Sequence, residues 1–294
     1  DPEITANREA IAARPRPSEI SEMRATTDAR GLAIGLPSDV TVTPVSANGV
    51  KAEWTATPGA AQDAVILYVH GGGYVIGSLD SHRHMVAEIG RRSAVRMLAL
   101  EYRLAPEHPF PAPVEDTVAA YRFLLESGFN PGRILIAGDS AGGGLVVGAM
   151  LAIKDAGLPT CAGGWCISPW VDMEALGASF TDRAATDPTV QKQTILFMAE
   201  KYLGGADPRS PYAAPIHGDL KGLPPLLIQV GACETLLDDS LQLARLAGMA
   251  DIPVDLQVWP EMIHIWHIFH PVLGAGKRAI ADGGAWVQKR LKGA

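Results

Sequence analysis

Short runs of branched aliphatic residues recur along this chain, each closed by glycine, proline or a polar turn. Ala64-Val65-Ile66-Leu67-Tyr68-Val69 and Arg133-Ile134-Leu135-Ile136-Ala137 are two of them, and similar runs cover 96–101, 162–167, 226–231 and 254–259. All six read as strands; the first two, apolar at consecutive rather than alternate positions, read as strands covered on both faces. The segments between them carry the helical period. Over 113–125, Val114, Val118, Tyr121 and Leu125 fall on one face, which predicts an amphipathic helix. After Gly142, Leu145, Val146, Val147, Met150, Leu151 and Ile153 are apolar on every side, which predicts a buried helix. Strand and helix in alternation predict an α/β fold: a mostly parallel sheet with helices on both faces and ligands at the C-terminal strand ends.

Two regions depart from this rhythm. Residues 1–38 are polar, with helical candidates at Ile4–Ala13 and Ser18–Gly31 separated by Arg14-Pro15-Arg16-Pro17. They hold too little apolar surface for a domain and are expected to pack on the rest. Next come Thr41-Val42-Thr43-Pro44-Val45, Asn48-Gly49 and Val50-Lys51-Ala52-Glu53-Trp54, two alternating runs around an Asn-Gly turn, which predict a hairpin. Residues 173–222 interrupt the alternation: Asp187-Pro188 opens a helix with Val190, Ile195, Phe197, Met198 and Tyr202, and Gly204-Gly205 ends it. The expected organisation is an N-terminal cap segment (1–38) and a catalytic domain (39–294), with 173–222 inserted between strands as a second cap segment.

Composition narrows the class without naming the chemistry. With 294 residues, 47% of them hydrophobic, the chain can bury the core of one large domain. The net charge of −7 is spread without a basic face, which argues against a nucleic-acid partner. The apolar stretch from Gly142 to Ile153 is too short to span a bilayer. Asp1-Pro2-Glu3 is acidic and no apolar run follows, so no signal peptide is expected. Cys161, Cys166 and Cys233 are odd in number and lack metal-type spacing, which suggests free thiols and a cytoplasmic location.

Chemistry enters with Gly138-Asp139-Ser140-Ala141-Gly142, set between a strand run and the buried helix. A G-x-S-x-G in that context fits a nucleophile elbow, whose tight turn lifts a serine oxygen above the sheet. Alone it means little, since a chain this rich in glycine would contain one by chance roughly once in seven. The second motif adds the weight. His70-Gly71-Gly72-Gly73 follows another strand run, and glycines there leave backbone N–H groups free to approach an oxyanion.

A third segment, Tyr102-Arg103-Leu104-Ala105-Pro106-Glu107-His108-Pro109-Phe110-Pro111-Ala112, lies between the two. With H-G-G-G-Y before it, G-D-S-A-G-G after it and Ser168-Pro169-Trp170 further on, the chain resembles the hormone-sensitive-lipase-like carboxylesterases of the α/β-hydrolase superfamily, from about Ala64 to the C-terminus. The resemblance implies a serine nucleophile, Ser140, and oxyanion donors from the N–H groups of Gly72, Gly73 and Ala141. It implies the chain order serine, acid, histidine. His264, His267 and His270 follow the last strand, and His264 is the family's base by position, with His267 as runner-up. For the acid, the family has Asp-Pro-Leu-x-Asp where this chain has Glu234-Thr235-Leu236-Leu237-Asp238-Asp239. Aligned on the leucine, Glu234 takes the catalytic position; Asp238 is the alternative, or simply begins the next helix. Ile265 and Trp266 stand where many members carry Gly and Phe, and with Tyr74 they are expected to wall the substrate pocket. Asp139, His70, His108, Trp170 and Asp172 are read as scaffold. The implied activity is hydrolysis of short-chain carboxylic esters through an acyl-enzyme, with no metal or organic cofactor and a small-molecule ester as partner. Lactonase, amidase and deacetylase chemistry would use the same residues. A non-catalytic receptor on the same fold is disfavoured by the presence of His264. The last strand, if left at the sheet edge, predicts a homodimer.

Overall fold

The computed structural model describes residues 2–14 and 17–292; Pro15 and Arg16, in the expected break between the N-terminal helices, lie outside them. Its strands are β1 (Thr41–Ala47), β2 (Val50–Ala56), β3 (Ala61–Val69), β4 (Val95–Glu101), β5 (Ile134–Asp139), β6 (Gly163–Ile167), β7 (Leu226–Gly231) and β8 (Val254–Trp259). The helices are α1 (Pro2–Ala12), α2 (Ile20–Ile34), α3 (Leu79–Ser93), α4 (Ala112–Glu126), α5 (Ala141–Asp155), α6 (Ser179–Asp182), α7 (Lys192–Leu203), α8 (Leu237–Met249) and α9 (Gly274–Lys292).

The strands form one sheet in the order β1-β2-β4-β3-β5-β6-β7-β8. β1/β2 and β2/β4 pair antiparallel, and every later pair is parallel. This is the mostly parallel sheet with helices on both faces expected from the alternation, and it fits the α/β-hydrolase fold that the resemblance implies. The hairpin forms where Asn48 and Gly49 both take positive φ (51° and 91°), the conformation that a two-residue turn needs to match strand twist.

The consecutive apolar residues divide by parity between two cores. Val65, Leu67 and Val69 of β3 face one side with Ile134 and Ile136 of β5, packing on α4, α5 and α8. Ala64, Ile66 and Tyr68 face the other side with Leu135 and Ala137, packing on α3 and α9. β5 and β7 are buried along their whole length, whereas β8 is partly exposed at the sheet edge. On α4 the buried stripe runs through Val114, Thr117, Tyr121 and Leu124, with the expected Val118 and Leu125 partly buried at its margin; Thr117 satisfies its buried hydroxyl on Pro113 O (2.8 Å).

The N-terminal helices dock at two places. α1 buries Ile4 and Ile11 against Met262, Ile263, Trp266 and Leu273. Each such side chain is worth about 1.5–3 kcal/mol, enough to hold a short helix that would be marginal in water by itself. α2 is tied to the loops around β3 and β4. Arg24 donates to Val75 O (2.8 Å) and Ala105 O (2.8 Å) and forks onto Glu107, while Asp28 accepts from Ser78 Oγ (2.5 Å). α7 begins at Lys192, later than the Asp187-Pro188 start expected from sequence. Asp187 instead accepts from Thr189 N and Val190 N with one oxygen and from Thr235 N with the other, so it fastens a turn rather than capping α7. Gly204, in the left-handed region, ends α7 as expected. Among the described residues, no helix is long and apolar enough to cross a membrane.

Candidate active site

Ser140 is the junction between β5 and α5, held at φ 54°, ψ −120°. A non-glycine residue there costs on the order of 1–3 kcal/mol, and its neighbours supply the restraint. Ser140 N donates to Ile167 O (2.8 Å), and Ser140 O accepts from Gly144 N (3.1 Å) and Trp170 N (2.9 Å). The glycines on either side are sterically required. A Cβ on Gly138 would stand 2.5 Å from Gly142 O, and one on Gly142 would stand 2.1 Å from Val69 O. The backbone is thus pinned and the hydroxyl left free to face the loop after β8.

That loop brings His264 to it. His264 Nε2 is 2.9 Å from Ser140 Oγ, and His264 Nδ1 is 2.6 Å from Glu234 Oε2. Glu234 stands just beyond β7. Its other oxygen, Oε1, accepts from Gly231 N (2.6 Å) and from the Ser168 hydroxyl (2.8 Å). All three side chains are buried. Burial disfavours the imidazolium. The hydrogen bond and charge of Glu234, with Asp187 and Asp139 behind it, outweigh burial and hold the His264 pKa above the ordinary 6.5. The neutral ring therefore carries its proton on Nδ1, toward Glu234, and offers Nε2 as acceptor to Ser140.

The alternatives lie elsewhere. Asp238 accepts from Ser179 N (2.9 Å), and its own N–H donates to Ser179 Oγ (3.1 Å), which clasps the start of α8 to α6. His267 faces Gln229 Oε1 (2.9 Å), shared with Trp165 Nε1, and burial pushes its pKa down to about 3, so it stays neutral.

The glycine loop after β3 turns on Gly72 (φ 119°) and Gly73 (φ 62°), closed by Val75 N and Ile76 N donating to Gly72 O. Ala141 is the first residue of α5, so its N–H has no partner within the helix and lies at the positive end of the helix dipole. Asp139 fixes this loop to the elbow: Oδ1 accepts from Tyr68 OH (2.6 Å) and Gly71 N (3.0 Å), and Oδ2 faces His82 Nε2 (3.3 Å). Burial alone would raise its pKa; the His82 and Tyr68 contacts win and bring it down to about 2. His70 lies in the same cluster, with Nδ1 donating to Gly71 O (2.8 Å) and its ring stacked on Tyr102. His108, expected to hold its loop through its ring, is instead exposed on the surface.

The expected pocket wall needs correction. Trp266 is fully buried among Ile4, Ile11, Met262 and Leu273, under α1, because the chain folds its N-terminal helix onto that side of the loop. Tyr74 is also fully buried, stacked on Tyr202 of α7 at 3.7 Å between ring centroids. Ile265 is half-buried at the margin of the α3/α9 core. Met198 of α7 does lie against the glycine loop, its Cγ 2.8 Å from where a Cβ on Gly73 would be. Nothing in the local sequence singles out Met198 or Gly231, whereas Ser168 opens the Ser168-Pro169-Trp170 motif. Asp172, Glu174 and His217 bring ligand-type atoms within 4.8 Å of one another. Protein donors already occupy the two acids: Asp172 accepts from Glu174 N and Leu176 N, and Glu174 pairs with Arg209 (2.7 Å). Cys161, Cys166 and Cys233 are free thiols, and burial pushes Cys161 up to about 12.

The family model for the alpha/beta hydrolase fold matches residues 66–268. An acetyl-hydrolase of Streptomyces hygroscopicus is 50% identical over 252 residues, covering 86% of this chain and 83% of that protein. The carboxylesterase NlhH of Mycobacterium tuberculosis is 34% identical over 239 residues, covering 77% of this chain and 74% of that protein. A crystal structure of an esterase from the bacterial hormone-sensitive lipase family superposes with a TM-score of 0.97 at 49% identity, covering 99% of both chains.

Proposed function

We propose that this chain, which belongs to the hormone-sensitive-lipase family of α/β-hydrolases and is a carboxylic-ester hydrolase, works through Ser140 as nucleophile, His264 as general base and Glu234 as the acid that orients it. The observation that carries the assignment is the unbroken line Ser140 Oγ–His264 Nε2 (2.9 Å) and His264 Nδ1–Glu234 Oε2 (2.6 Å). His264 takes the Ser140 proton as Oγ attacks the ester carbonyl. The oxyanion that forms is held by the N–H groups of Gly72, Gly73 and Ala141. Glu234 stabilises the resulting imidazolium, which protonates the departing alcohol; water then hydrolyses the acyl-serine by the same steps in reverse. The balance needs no cofactor: one ester and one water give one acid and one alcohol.

The preferred substrates are short-chain esters. The acetyl-hydrolase relative supports a small acyl group, and so does Met198, which leans on Gly73 beside the oxyanion donors. α1, α2 and the 173–222 segment act together as the cap. The protein works in the cytoplasm, in keeping with its free thiols. It works as a homodimer joined at the open edge of β8, where Leu256 and Val258 are 38% and 42% exposed.

A panel of 4-nitrophenyl esters of increasing acyl length, with lactones and anilides alongside, tests the substrate class. Rates should fall beyond about eight acyl carbons as a bounded pocket fills. Faster turnover of long-chain triglyceride emulsions than of butyrate, or of lactones or anilides than of any ester, would overturn the preference. Ser140→Ala should lower kcat by roughly 10⁴- to 10⁶-fold without loss of fold, and a serine-directed phosphonate should label Ser140 stoichiometrically. A monomeric mass in light scattering at micromolar concentration would remove the dimer.

A further inference from the structure

Resting on the triad read above, we infer that Ser168 is a positioning residue for catalysis: its hydroxyl is one atom that locks both the acid and the base loop. Ser168 follows β6, is fully buried, and sits in the left-handed region at φ 46°. Its N–H donates to Gln229 O (2.7 Å), which extends the ladder between β6 and β7 by one step beyond the strand end. The side chain is thereby aimed between the loops that follow β7 and β8.

The hydroxyl makes two bonds there, and the proton inventory fixes the sense of each. Ile265 N–H can only donate, so Ser168 Oγ accepts from it at 3.1 Å. The ionised Glu234 can only accept, so the single hydroxyl proton goes to Oε1 at 2.8 Å. Ile265 is the residue after His264, and its own φ of 44° marks a backbone held in a sparsely occupied conformation. Glu234 has one more methylene, and so one more rotatable bond, than an aspartate in the same place. Gly231 N–H and the Ser168 hydroxyl both hold Oε1, which leaves Oε2 directed at His264 Nδ1. Ser168 thus restrains the longer arm of the acid and, through Ile265, the ring that the acid must meet. It touches neither substrate nor the reacting atoms.

Ser168→Ala removes the hydroxyl while keeping the left-handed residue non-glycine; Ser168→Gly removes it while relieving the backbone. Both should lower kcat on 4-nitrophenyl acetate by roughly 10- to 100-fold with KM changed by no more than about twofold, because the loss falls on transition-state geometry. The diagnostic readout is a double-mutant cycle with Glu234→Gln. If Ser168 acts through the acid, Ser168→Ala costs clearly less in the Glu234→Gln background than in the wild type, the remainder being the bond to Ile265 N that does not depend on the carboxylate. A purely structural serine would lower the melting temperature equally in both backgrounds and multiply through the cycle. Wild-type kcat in either folded Ser168 variant, or full multiplicativity, overturns the inference. Retained activity in Ser140→Ala would instead overturn the triad reading on which it rests, so the two failures are distinguishable.

Discussion

Replacing Glu234 by Gln tests the site at its most informative atom. Oε1 lies between two fixed donors, Gly231 N–H (2.6 Å) and the Ser168 hydroxyl (2.8 Å). The glutamine carbonyl must therefore take that position, which turns the NH₂ toward His264 Nδ1, 2.6 Å away in the parent protein. Two donors cannot face each other there, so the ring shifts its proton to Nε2 and presents N–H, not a lone pair, to Ser140 Oγ. The base is then in the wrong tautomer, and the imidazolium has lost its counter-charge. A comparable change in a serine triad lowers kcat by about 10⁴-fold. We expect a fall of roughly 10³- to 10⁴-fold here, equivalent to about 4–5.5 kcal/mol of barrier. Glu234→Asp should be milder yet impaired, since the shorter arm cannot keep both Oε1 donors and reach Nδ1. Asp238→Asn is the control, because its carboxylate accepts from Ser179 N and does not face His264. It should cost about 1 kcal/mol of stability and leave kcat nearly unchanged. Steady-state hydrolysis of 4-nitrophenyl acetate, with thermal melts to establish folding, measures all three. A nearly inactive Asp238→Asn beside a Glu234→Gln that keeps more than about a tenth of wild-type kcat would refute the assignment.

The remaining predictions concern pH and packing. Because His264 must be neutral to accept a proton and its pKa is held above 6.5, kcat/KM should be lost as pH falls through a midpoint above that value; a midpoint at or below 6.5 would contradict the dominance of Glu234 over burial. Gly71→Ala would drive a Cβ to 2.3 Å from Asp139 Oδ2, so it should break the Asp139–Gly71 tie, lower the melting temperature and cut kcat by about 10²-fold as the oxyanion loop shifts. A Gly71→Ala variant as active and as stable as the parent would show that the loop is not set by that contact. Burial, opposed by bonds from Val171 and Asp172 N–H and reinforced by the Asp172 and Asp238 charges, raises Asp239 to about 8. The folded state thus resists ionising it, and stability is lost from the unfolded carboxylate range upward until pH passes about 8. Asp239→Asn should therefore stabilise the protein more at pH 8.5 than at pH 6, by on the order of 2 kcal/mol, and a pH-independent difference in melting temperature would contradict it.

Much of the fold was legible because it rests on local chemistry. Apolar runs such as Val65–Val69 and Ile134–Ala137 leave no polar face for solvent, so they specify strands covered on both sides. Asn48-Gly49 specifies a hairpin because few other pairs tolerate two positive φ values in succession. Gly138 and Gly142 mark the elbow for the same reason, that no larger residue fits. Where the sequence misled, a distant partner decided. Trp266 looks like a pocket wall beside His264, but α1, more than 250 positions earlier in the chain, covers it. Tyr74 follows the glycine loop in sequence yet stacks under Tyr202, and Met198 takes the place beside Gly73. Asp187 reads as a helix start, but its second oxygen is taken by Thr235 across the fold.

The candidate site divides in the same way. Residue types and chain order by themselves determined that Ser140 sits on an elbow, that a glycine loop precedes it, and that histidines and carboxylates follow later strands. They determined the family too, because each motif is a contiguous piece of backbone whose shape only certain residues allow. Which carboxylate faces His264 was decided only in three dimensions. Glu234 and Asp238 are four residues apart, straddling the end of a loop and the first turn of α8, and that offset turns one inward and the other to Ser179. The Ser168 bridge is likewise tertiary: it joins residues 66 and 97 positions apart, and no local pattern records a contact that exists only once β6, β7 and β8 lie side by side. Sequence sets what each segment can do by local sterics and solvation; the packing of the sheet sets which of those segments meet.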